Sequence, residues 1–168
     1  GLIRRVEKYI PEAKPFRPQK ALDEFEKSLW RELDYRHEAR NADRFRYNFR
    51  NDAGVKIPDI YWDYTTEKVL TMEYMNGIRM GERDEMTKQH INHKKLMVNC
   101  VRACILPVFS FGFFHADPHP GNVWALKDNR VLYLDYGMVG SIEKELRHNM
   151  ILYMLFLSEE DIESALFF

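Results

Sequence analysis

His115-Ala116-Asp117-Pro118-His119-Pro120-Gly121-Asn122 is followed, one short hairpin later, by Leu134-Asp135-Tyr136-Gly137. Pro118, Pro120 and Gly121 bar a helix across this stretch, so Asp117 and Asn122 are set on a rigid loop. Downstream, Val123-Trp124-Ala125 and Val131-Leu132-Tyr133-Leu134 flank the turn Lys127-Asp128-Asn129, a β-hairpin pattern. Asp135 stands at the end of its second strand, just before Gly137, which permits an unusual turn. Two carboxylates and an amide oxygen therefore converge across one hairpin. Magnesium takes hard oxygen ligands and keeps part of its shell for phosphate oxygens. Phosphoryl transfer needs such a clamp and a carboxylate near the attacking hydroxyl.

Taken singly, an Asp before Pro or an Asp-Tyr-Gly is an ordinary turn. The combination is sharper. Asp117, Asn122 five residues on, a hairpin, then Asp135 before Gly137 is the order of a kinase catalytic loop and its metal-binding motif. His115 and His119 do not read as a zinc pair, because the prolines break the helix that would align them and no third ligand is near. His115 is expected to orient the loop by hydrogen bonding, and His119 to be a loop residue.

Working outward, Lys95–Phe111 is apolar on nearly all sides and reads as a buried helix ended by Gly112. Cys100 and Cys104, four residues apart on it, read as core-packing thiols, which points to a reducing compartment. Farther upstream, Glu67–Met75 reads as a strand ending at Asn76-Gly77. Val55–Pro58 and Ile60–Trp62 read as a weaker strand, with Pro58 keeping the first part at an edge. Leu22, Phe25, Leu29 and Leu33 give a long amphipathic helix from Lys20 to about Asn48. Leu2–Ile10 reads as a short helix stopped by Pro11. Two helices close the chain, at about 142–157 and 159–168, with Ser158 as N-cap of the second and Asp161 in its capping box. The order makes the chain α+β.

The bulk properties fit one packed domain. The chain has 168 residues, 45% of them hydrophobic, enough for a core. A formal net charge of −1 gives no basic balance that would favour nucleic acid. There is no secretory leader pattern and no apolar run of about 18 residues that could span a bilayer. Gly1 and the apolar run Ile162–Phe168 suggest a piece of a longer protein.

On a helix, Asp34, Glu38 and Asn41 would share one face, with Glu32 pointing elsewhere. Spacing alone favours a solvated charged face. The wider pattern adds more: Glu32-Leu33-Asp34-Tyr35-x-x-Glu38-Ala39-x-Asn41, Leu70-Thr71-Met72-Glu73-Tyr74, Phe113–Asn122 and Leu134–Met138 together resemble the UbiB, or AarF-domain, atypical kinase-like family. The match runs from about Gln19 to the C-terminus. It implies a protein-kinase-like fold, with residues 1–75 a partial N-lobe holding helix C and the hinge, and 76–168 the first part of a C-lobe. It implies ATP and Mg2+ as cofactors, Asp117 as the catalytic-loop aspartate, and Asn122 and Asp135 as metal ligands. Glu38 would pair with a strand lysine, Glu32 and Asp34 would form the family's Glu-x-Asp motif, and Glu73, Tyr74 and Met75 would lie in the adenine hinge. It further implies a role in ubiquinone or related quinone-lipid synthesis, alongside proteins of that pathway and a membrane surface in a bacterium, mitochondrion or plastid.

Several features depart from ordinary kinases. Tyr136 replaces the usual Phe, and Ala116 replaces the Arg that contacts a phosphorylated activation loop. No lysine in the chain stands in the strand context of the phosphate-holding lysine, so Glu38 is expected to lack that partner here. Two other readings stay open: a small-molecule phosphotransferase of the aminoglycoside or choline kinase type, and a non-catalytic nucleotide-binding scaffold.

Overall fold

The computed structural model describes residues 20, 22–23 and 34–158. The helix read from Lys20 to Asn48 is not continuous. Lys20, Leu22 and Asp23 are helical, but Asp34 has extended backbone (φ −105°, ψ 96°) and caps a separate helix, α1, Tyr35–Asn48. The cause is local: the Asp34 carboxylate accepts the Arg36 N–H at 3.0 Å, which a mid-helix residue could not do. Asp34 therefore precedes the helical face that carries Glu38 and Asn41. The segments read as helices at 2–10 and 159–168 lie outside the described residues, as does the capping box of the latter.

Four strands form one sheet in the order β1-β5-β4-β2: Val55–Lys56, Val131–Tyr133, Val123–Ala125 and Ile78–Arg79. The expected hairpin is β4–β5, with Val123 opposite Tyr133 and Ala125 opposite Val131. Asn129 takes positive φ (69°) in its turn, as Asn tolerates. The β1 strand runs parallel to β5 at the sheet edge, and Pro58 follows it where no ladder donor is needed. The strand expected over Glu67–Met75 is reduced to a single bridge, Ile60 to Met72, flanked by bonds from Tyr61 N–H to Thr71 O and Glu73 N–H to Asp59 O. Instead of extending the first strand, Trp62–Tyr64 turn into a 3₁₀ segment. A short helix, α2 (Arg83–Lys88), follows β2.

The long apolar segment is a helix, α3 (His93–Leu106), started by the Asn92 side chain accepting from Lys95 N–H. At Pro107, which cannot donate to the helical ladder, it widens into a π turn, Pro107–Phe111. Gly112, left-handed at φ 61°, ends it as expected; a Cβ there would meet the Ile142 carbonyl at 2.7 Å. All-round burial of this helix does not hold. Leu96 and Ala103 are buried, whereas Met97, Val98, Val101 and Ile105 are more than half exposed. Cys100 is half-buried and Cys104 exposed, both as free thiols, so only one side of the pair packs inward. Burial pushes the Cys100 thiol up to about 11. Next, β3 (Phe113–His115) pairs antiparallel with β6 (Val139–Ser141), placing His115 opposite Val139. In the last described helix, α4 (Lys144–Ser158), the Ser158 hydroxyl donates back to Leu155 O.

The core joins α1 to the strands. Ala39, Ala42 and Phe45 on one side of α1 meet Phe113, Val131, Tyr133 and Tyr136, all buried. The Phe45 ring lies 5.1 Å from Phe113 and 5.6 Å from Tyr136, in tilted aromatic contact. This packing holds α1 against the Asp-Tyr-Gly turn and so positions the site.

Candidate functional site

The loop and the turn are tied together by His115. The Asp117 N–H donates to His115 Nδ1 at 3.1 Å, so that nitrogen carries no proton. The other nitrogen, Nε2, is then the donor to the Asp135 carbonyl 2.8 Å away. One side chain on β3 thus holds the backbone of both acidic residues, the orienting role expected for it. Its ring also packs 5.3 Å from Tyr133. His119 Nδ1 accepts from Gly121 N–H at 3.0 Å, which folds the loop on itself and makes it a loop residue.

Asn122 and Asp135 are in direct contact: Asn122 Nδ2 donates to Asp135 Oδ2 at 2.9 Å. The second oxygen, Oδ1, accepts from Gly137 N–H at 2.8 Å. Both residues are partly buried, and Leu134 N–H bonds the Asn122 carbonyl, continuing the hairpin up to the site. Asp117 is exposed, and its carboxylate has no hydrogen-bond or ion-pair partner among the described residues. The three predicted oxygen-bearing residues are therefore linked, Asp117 through His115 and Asn122 directly, to Asp135.

The donor set fits magnesium. A carboxylate and an amide oxygen are hard ligands, and among the described residues no trio of His, Cys, Asp or Glu gathers as an all-protein cage. Magnesium is commonly held by one or two such groups together with substrate phosphates.

From the other side, α1 reaches the turn with two side chains. Glu38 Oε1 accepts the Tyr136 N–H at 3.1 Å, and Asn41 Nδ2 donates to the Tyr136 carbonyl at 2.9 Å. Burial raises the Glu38 carboxyl above its ordinary value and the nearby Asp135 charge adds to this, while the Tyr136 N–H opposes it. Among the described residues no lysine pairs with Glu38. Spacing indicated the face shared by Glu38 and Asn41; it could not reveal a partner 95 residues away from Asn41.

The remaining predicted residues are placed differently. Asp34 caps α1 and binds Arg36 through both oxygens at 2.9 and 2.8 Å; that contact holds its carboxyl down to about 2. Glu32 lies outside the described residues. The Glu73 carboxylate is bound to Lys56 at 2.6 Å, so its side chain serves the edge strand β1. Tyr74 is 89% exposed and Met75 half-buried in the segment expected to form the hinge. Behind it Gly77 lies close to β4, where a Cβ would stand 3.1 Å from the Ala125 carbonyl. The apolar depression of about 460 Å³ lies elsewhere, on α4 between Leu146, Met150 and Leu157.

Comparison with known proteins places the chain in a family. The ABC1 atypical kinase-like domain matches residues 1–167. Protein ACTIVITY OF BC1 COMPLEX KINASE 7, chloroplastic, of Arabidopsis thaliana is 38% identical over 138 residues, which are 82% of this chain and 20% of that protein. The probable protein kinase UbiB of Aliivibrio fischeri is 37% identical over 148 residues, 86% of this chain and 27% of its own length. The structure of Rv3197 from Mycobacterium tuberculosis, solved with erythromycin, superposes with a TM-score of 0.67 at 26% identity, covering 88% of this chain and 37% of that one. The chain thus spans about a fifth to a quarter of these two curated relatives, and its fold is protein-kinase-like. By sequence and by fold, the chain belongs to the ABC1 atypical kinase-like family.

Proposed function

We propose that this chain carries the catalytic and metal-holding part of an ATP- and magnesium-dependent atypical kinase or ATPase. The observation that carries the reading is the linkage of Asp117, Asn122 and Asp135 through His115 and the Asn122–Asp135 contact. In this reading residues 1–75 contribute helix C and the hinge, and residues 76–168 the catalytic and metal-binding loops. The hinge backbone at Glu73–Met75 meets adenine, Asn122 and Asp135 supply metal oxygens, and Asp117 orients or deprotonates the attacking hydroxyl. Magnesium bound there would neutralise phosphate oxygens as charge develops. Glu38 has its Oε1 on Tyr136, and Oε2 remains for a phosphate-holding lysine from outside this chain. In the same reading Glu32 and Asp34 belong to the family's Glu-x-Asp motif, with Asp34 at the start of α1. The relative named probable protein kinase UbiB supports the kinase part of this reading. The family resemblance extends it to a role for the full-length protein in isoprenoid-quinone lipid synthesis at a membrane, in a reducing compartment, with proteins of that pathway as partners. Among the described residues no helix is long and apolar enough to cross a membrane.

The test is magnesium-dependent ATP turnover by the full-length protein. Asp135→Asn should abolish it, because the metal charge loses its carboxylate. Asp117→Asn should cut turnover about 10²–10⁴-fold while changing nucleotide affinity little. Wild-type turnover in a folded Asp135→Asn protein would overturn this mechanism, and nucleotide binding without turnover in the wild type would leave the scaffold reading.

A further inference from the structure

The peptide unit between Tyr136 and Gly137 is held on both sides. Its carbonyl accepts from Asn41 Nδ2 at 2.9 Å, and its N–H donates to Asp135 Oδ1 at 2.8 Å. A trans peptide is planar, with the C=O and N–H pointing to opposite sides. Fixing one therefore fixes the other. Asp135 then has Oδ1 pinned by that N–H and Oδ2 facing Asn122. One peptide earlier, the Tyr136 N–H is fixed by Glu38. Tyr136 itself cannot move to compensate, because its ring is buried and its hydroxyl donates to the Tyr133 carbonyl at 2.6 Å.

We infer that Asn41 is a positioning residue for Asp135. Through one rigid peptide it sets the rotamer of the carboxylate that holds the metal, with Glu38 as the second anchor of the same turn. A group that orients a metal ligand in this way commonly matters as much to affinity as a weaker ligand does. Asn suits the position because it supplies an N–H donor at the length the helix allows. Ala would leave a carbonyl unpaired, and Asp would set a carboxylate against it.

The magnesium part rests on the function proposed above; the backbone part does not. The experiment uses the full-length protein as wild type, Asn41→Ala and Asn41→Asp, with thermal melts confirming a folded state. Amide hydrogen exchange over residues 134–138, without nucleotide or metal, should speed about tenfold in Asn41→Ala. The magnesium concentration for half-maximal turnover should rise roughly 10–100-fold, while nucleotide affinity without magnesium stays within about twofold. Asn41→Asp, the same size but repulsive, should be worse than Ala on both measures. Unchanged exchange, faster exchange with an unchanged magnesium requirement, or an Asp variant milder than Ala would each overturn the inference. If Asn41→Asp does not fold, the Ala variant decides on exchange and magnesium alone. Should the wild type show no magnesium-dependent turnover, the proposed function falls, and the exchange result by itself decides whether the clamp stands.

Discussion

His115 donates from Nε2 to the carbonyl of Asp135 while its Nδ1 accepts from the backbone of Asp117. A neutral imidazole with this tautomer is the one ordinary side chain that can accept at one end and donate at the other across a ring. Replacing His115 with Phe keeps the aromatic contacts to Phe45 and Tyr133 and removes both hydrogen bonds. The part-buried Asp135 carbonyl then lacks its partner, a cost of about 1–3 kcal/mol in denaturant unfolding. Turnover by the full-length protein should fall at least tenfold, because both loops lose their common anchor. Equal stability and equal turnover would show that the ring acts by packing alone.

Asp34 offers a test of how α1 begins. Asp34→Asn keeps a capping oxygen for the Arg36 N–H and loses the ion pair; Asp34→Ala loses both. The melting temperature should therefore fall in the order wild type, Asp34→Asn, Asp34→Ala. The contact with Arg36 depresses the Asp34 carboxyl from 3.8 to about 2 in the folded chain. Its charge contribution is present above the unfolded value and is lost as pH falls through the folded one. The gap between wild type and the Asp34→Asn variant should accordingly close between about pH 4 and pH 2. A pH-independent gap would mean that capping geometry, not charge, sets the difference.

The loop 115–122 and the hairpin were legible because proline, glycine and β-branched residues act locally. So was the left-handed end at Gly112. The break at Asp34 was hidden because an acidic residue among helix formers looks the same inside a helix and at its cap. The β2, β3 and β6 strands span two or three residues each, too short to show any period. The open side of α3 marks a different limit: apolarity says that a face can be buried, not what lies over it. Of the candidate site, the coming together of Asp117, Asn122 and Asp135 was readable from motif order. The clamp by Asn41 was not, since its partner is a backbone carbonyl, which leaves no trace in side-chain chemistry.

Phe45 should be the residue whose loss most separates α1 from the site. It is 1% exposed and its ring lies within 5.6 Å of those of Phe113 and Tyr136. Phe45→Ala should cost about 3–5 kcal/mol through lost burial and the cavity left behind. Amide exchange at Tyr136, whose N–H depends on Glu38, should rise with it. A loss below about 1 kcal/mol would mean that α1 docks mainly through its polar clamp.

Glu38 sits in a half-buried place where no lysine among the described residues pairs with it. Burial, with the Asp135 charge adding to it, holds its folded carboxyl above the ordinary value of 4.5. A raised value means that the protonated form is the one folding favours. Its contribution is fully present below the unfolded value and is lost as pH rises through the folded one. Glu38→Gln removes this titration and keeps an oxygen able to accept the Tyr136 N–H. In this chain the Gln variant should therefore match wild type near about pH 4 and become the more stable of the two as pH rises to about 7. In the full-length protein, where a lysine would pair with the carboxylate, the same change should reverse sign and cut turnover. Melts of both lengths across that pH range decide the matter: a wild-type advantage at neutral pH in the isolated chain would mean that Glu38 already has a cationic partner within it.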